Sequence, residues 1–179
     1  MAAVNKNQLK LYLTFIPVAY FSYLFHEFGH WIVGEMLGNK MVFTLNYVWP
    51  KNGHYLHAGD YLLGSIGGPA FTILLALISL LVIEKYEIIY AYPVLFFQMV
   101  MRFFSLGFGG FARQDEARIS SALGLGTYTL GIIVIIVLFL MVFRASRKLK
   151  IDLKQNGYYF TVSILCELMV IGTYKITGI

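Results

Sequence analysis

His26-Glu27-Phe28-Gly29-His30 puts two imidazoles and a carboxylate within five residues. On a helix, residues four apart share a face, so His26 and His30 can turn toward one metal ion. Two neutral imidazole nitrogens at about 2.0–2.1 Å suit zinc, and Glu27 beside them can act as general base on a zinc-bound water. The chemistry such a constellation performs is metal-assisted hydrolysis. At this chain's own His and Glu frequencies, about 0.003 motifs of this kind are expected by chance. The segment around it is apolar, where ionisable groups are costly and mark function. A polar patch that merely joins helices would need only one Asn or Ser.

The elements that must carry these groups follow from composition. The chain has 179 residues, 59% of them hydrophobic and only 13% charged, with a single cysteine. Too little charge is present to cover a soluble surface, one cysteine excludes a disulfide scaffold and a four-cysteine zinc site, and the high hydropathy excludes disorder. Long uncharged runs recur at the length needed to cross a bilayer. They predict an all-α integral, multi-pass membrane protein with about five transmembrane helices, near 9–36, 60–84, 87–106, 121–143 and 156–175. Runs this poor in alternation favour helices over a barrel. The first run is too long for a signal-peptide core and is followed by no small-residue cleavage site, so it is read as a helix of the mature chain. Pro17 and Pro93 fall inside spans one and three and are expected to kink them.

Between the first two spans, Met41-Val-Phe-Thr-Leu-Asn-Tyr-Val-Trp49 is rich in β-branched and aromatic residues. Pro50-Lys-Asn-Gly53 follows with turn chemistry, and Asn-Gly is a favoured hairpin dipeptide. A short membrane-associated β-hairpin over about 41–57 is expected.

HEFGHWIVGEMLG (residues 26–38) inside an apolar helix resembles the metal-binding helix of the site-2 protease family, the intramembrane zinc metalloproteases. Gly29 before the second histidine is part of that likeness. Gly67-Gly68-Pro69-Ala70 is similar to the family's Gly-Pro-x-x-Asn segment, and the strand-like stretch matches its membrane-embedded β segment. The likeness covers roughly residues 9–120. It implies a small, divergent member: one transmembrane metalloprotease-like domain over 1–179, with the metal-site core at about 9–120 and additional helices at about 121–179. The family's third metal ligand is an aspartate of an Asp-Gly motif. No Asp-Gly occurs here, and Asp115 is the candidate by position, with Glu116 as runner-up. Asp115 could instead be the N-cap of a helix beginning at Glu116. Thr72 stands where the family has its Asn, which helps to hold the substrate or the developing oxyanion; a threonine hydroxyl reaches less far. Gly64, Gly67 and Gly68 also read as close helix packing.

His54 and His57 are further candidates for completing a metal site, or are solvated loop histidines. Glu167, inside the fifth span, is expected to pair with Arg102 or a backbone donor. Net charge is +5, and Arg144, Arg147, Lys148, Lys150 and Lys154 cluster between spans four and five. Nothing beside this run resembles a nucleic-acid recognition module, whereas a loop facing anionic lipid headgroups explains it. With five spans the basic residues place the N-terminus inside, while the family likeness implies the reverse.

The expected function is a membrane-embedded zinc metalloprotease (a hydrolase). One Zn2+ is held by His26, His30 and Asp115, and Glu27 is the base. The substrate is a membrane protein with a transmembrane segment, unwound locally and trapped by an edge strand at about 41–49. Two other classes are open: a proteolytically inactive metal- or substrate-binding protein of the same fold, and a small ion or proton transporter.

Overall fold

The computed structural model describes residues 6–178. Helix α1 runs Lys6–Met36 and is followed by strands β1 (Met41–Phe43) and β2 (Val48–Pro50). Helices α2 (Asp60–Tyr86) and α3 (Ala91–Phe108) come next, then a 3-10 turn at Phe111–Arg113, a short α4 (Asp115–Ala122), α5 (Thr129–Lys148) and α6 (Leu153–Thr177).

Four of these helices, α2, α3, α5 and α6, are long and apolar enough to cross a membrane, and the chain is an integral, multi-pass membrane protein. Helix α1, with 31 residues, is long enough. It falls short in apolarity because Tyr12, Tyr20, Ser22, Tyr23, His26, Glu27 and His30 interrupt its aliphatic run.

Element ends differ from expectation for local reasons. Helix α3 starts at Ala91 because Glu87 turns left-handed at the end of α2 (φ 54°) and closes on the Ile83 carbonyl. Pro93 therefore lies in the first turn of α3, where its missing N–H is not needed, and it does not interrupt a helix interior. Pro17 and Pro69 do sit inside helices. Helix α5 starts at Thr129 because Gly124 and Gly126 take positive φ (71° and 81°) and separate it from α4. Asp152 and Gln155 form a capping box that starts α6.

The hairpin exists, but its turn is not the expected one. Strands β1 and β2 pair antiparallel with Val42 opposite Trp49, so the chain reverses at 44–47, inside the stretch read as one strand. Thr44 makes that turn: its N–H and its hydroxyl both donate to the Tyr47 carbonyl, at 3.0 and 2.7 Å. Asn52-Gly53 forms a separate turn (Gly53 N–H to Pro50 O, 2.9 Å), after which no strand returns.

Aromatic side chains from α1, α3 and α6 fill the bundle centre. Phe15 lies against Phe96 and Tyr159, with ring centroids 6.4 and 5.6 Å apart, and Tyr92 packs tilted at 5.7 Å from Tyr159. Part of the basic run is tied to the protein: Arg144 pairs with Glu84 and Lys148 with Glu87, each at 2.7 Å, joining the ends of α5 and α2.

Candidate metal centre

Helix α1 presents His26 and His30 toward α2, and glycines let the two helices approach. A Cβ on Gly29 would overlap the Gly67 carbonyl, and one on Gly67 would overlap the Gly29 carbonyl, so the backbones meet at this crossing. One residue on, Gly68 lies under both imidazoles. A Cβ there would be 2.6 Å from His26 Cε1 and Nε2, and closer still to His30 Nε2.

Helix α2 also orients the rings. His30 Nδ1–H donates to the Gly64 carbonyl at 2.7 Å, and His26 Nδ1 shares a hydrogen bond with the Thr72 hydroxyl at 2.8 Å. A carbonyl has no proton to give, so in the neutral His30 ring the Nε2 atom carries the lone pair. With His26 donating to Thr72, its Nε2 does the same. Hydrogen bonds of this kind from the second ring nitrogen fix tautomer and orientation in metal-ligating histidines.

Asp115 enters from α4. Its Oδ2 lies 3.4 Å from His26 Nε2 and 3.3 Å from His30 Nε2, and the two Nε2 atoms are 3.3 Å apart. The three ligand atoms form a nearly equilateral triangle. Four ligands placed tetrahedrally at about 2.0–2.1 Å from a zinc ion stand about 3.3–3.4 Å from one another. Lone pairs that converge at this spacing repel unless a proton or a metal cation lies between them, and the donor set of two imidazoles and a carboxylate fits zinc. The other Asp115 oxygen accepts from Arg118, whose Nε donates to Ser65 of α2 at 3.2 Å. Asp115 is the first residue of α4 and not its cap; Gln114 holds the cap position, without a side-chain cap bond.

The triad opens on a cavity of about 300 Å³. Glu27 lines it, with Arg102 and Arg118 on the α3 and α4 sides and Tyr47, Val48 and Trp49 on the hairpin side. Glu27 is buried (7% exposed) and is given no hydrogen bond or ion pair by the described residues.

The remaining candidates stand elsewhere. Glu116 turns to Arg102 at 2.7 Å, in a pair buried on both sides. His54 is exposed, and His57 faces solvent with its ring 3.3 Å from Asp60, so neither joins the triad. Glu167 accepts from the Tyr23 hydroxyl and is not bonded to Arg102. Thr72 does not line the cavity; its hydroxyl serves His26. Arg118, Tyr23 and the Gly64 carbonyl are site residues that motif reading does not supply. For Arg102 the signal was present, a lone charge in an apolar span, but not its partner. Compared with models of known protein families, with curated proteins and with solved structures, the chain matches none of them.

Proposed function

We propose that this chain is a membrane metalloprotein in which His26, His30 and Asp115 hold one Zn2+, with α1 as a fifth membrane-crossing helix of a single domain. The observation that carries the reading is the triangle of ligand atoms at 3.3–3.4 Å, its two rings oriented from α2. Zinc bound there supplies Lewis acidity toward a substrate carbonyl.

A hydrolytic reading builds on the first and is favoured by Glu27, a carboxylate beside the triad with no hydrogen bond or ion pair among the described residues. In it the chain is a zinc-dependent intramembrane endopeptidase, resembling the site-2 protease family. Glu27 accepts a proton from the attacking water and returns it to the leaving nitrogen. The free edge of β2, on the cavity wall, takes a locally unwound stretch of a substrate's transmembrane segment by strand addition. Against cutting stands Thr72, whose hydroxyl is committed to His26 and is not offered to a substrate oxygen. Binding of metal and a membrane segment without cleavage is therefore the reading that needs fewest additions.

Two measurements separate these readings. Purified protein carries one zinc per chain, which is lost in Asp115→Ala. A panel of transmembrane peptides is then cleaved by wild type and not by Glu27→Gln, which keeps its zinc. Equal cleavage by both chains, or by neither, refutes the peptidase reading. Absence of zinc from the wild type refutes both.

A further inference from the structure

Helix α4 has eight residues, and Ala117 is its one buried apolar side chain. Apolar burial therefore does little to fix where α4 stands against α1. The triad fixes it only when a proton or a metal ion joins its three converging ligand atoms. Arg118 holds the second oxygen of Asp115, but it belongs to the same short helix and is partly exposed. One tie from α4 to a long helix is both charged and fully buried: Arg102 of α3 to Glu116, 2.7 Å, with side chains 3% and 2% exposed.

We propose that the Arg102–Glu116 ion pair positions Asp115 for the metal, an inference that rests on the metal-binding reading above. Glu116 is the next residue after Asp115, and consecutive Cα atoms are about 3.8 Å apart, so a shift at Glu116 passes almost undiminished to Asp115. Metal–ligand distances tolerate only about ±0.2 Å. Adjacent carboxylates thus divide the work. Glu116 anchors the helix to α3, and Asp115 reaches the histidines of α1. Arg102 and Glu116 are positioning residues, and neither needs to touch metal or substrate.

The test is zinc affinity, read by competition with a chromophoric chelator on full-length, detergent-solubilised protein, alongside thermal melting. In Arg102→Met/Glu116→Leu an apolar pair replaces the ions. Buried ion pairs replaced in this way often leave stability unchanged or raised, so the fold is expected to persist. Zinc affinity is expected to fall by about 10- to 100-fold, as for other losses of ligand support. The reversed pair, Arg102→Glu/Glu116→Arg, restores the tie and is expected to recover most of that loss. A purely structural role would move the melting temperature and leave the affinity of the folded protein unchanged. Wild-type affinity in the apolar double variant overturns the proposal while leaving the zinc site standing. No zinc on the wild type overturns the zinc site first and this inference with it.

Discussion

Replacing Gly68 with alanine separates metal binding from folding. The added methyl would stand 2.6 Å from two atoms of the His26 ring and nearer to His30 Nε2, and it would meet no backbone atom as closely. Carbon contacts are comfortable only beyond about 3.5 Å, so the imidazoles must withdraw by about 1 Å. Side-chain ends can do this at little cost to the helices, but metal–ligand distances allow only about ±0.2 Å. Both proposed histidine ligands would be displaced at once. The expected loss of zinc affinity is at least about 100-fold, taking the upper range for a disturbed ligand shell. That is about 3 kcal/mol of binding free energy. The assay is competition against a chelator of known affinity, with helix content and melting of the metal-free protein as the fold control. Gly172→Ala, on α6 with open space around it, is the neutral comparison. Wild-type zinc affinity in Gly68→Ala would refute the placement of both rings over α2.

Gly29→Ala should behave in the opposite way, because its methyl meets the Gly67 carbonyl, which is backbone. Overpacking at the α1–α2 crossing is expected to lower stability by about 1–3 kcal/mol, seen as a lower melting temperature of the metal-free protein. Thr72→Val removes the hydrogen bond to His26 Nδ1 at nearly constant shape. A chelator titration is expected to show about tenfold weaker zinc binding with the fold intact, and Thr72→Ser should restore it.

Legibility in the sequence follows the range of the interaction. His26 and His30 were readable because helix periodicity alone puts both on one face. The long apolar spans were readable because a bilayer imposes length and composition independently of packing. Gly64, Gly67 and Gly68 signal close packing, but the sequence does not say that Gly67 meets Gly29 while Gly68 makes room for the rings. Thr44 outcompetes the better-known Asn52-Gly53 turn because its N–H and hydroxyl converge on one carbonyl, a detail that strand propensity hides. Partner choice was least legible. Arg102 had Glu116 and Glu167 within the same chain to choose from, and only the approach of α4 to α3 decides for Glu116. Thr72 was read against an asparagine that faces substrate, whereas here its hydroxyl faces a histidine ring.

Zinc K-edge X-ray absorption on the purified wild-type protein, with metal content per chain, tests the central claim most directly. The predicted result is one zinc per chain with two imidazole nitrogens and a carboxylate oxygen at about 2.0–2.2 Å, and loss of that signal in Asp115→Ala and in His26→Ala. A wild type without stoichiometric zinc, or a zinc environment unchanged by both substitutions, would contradict it.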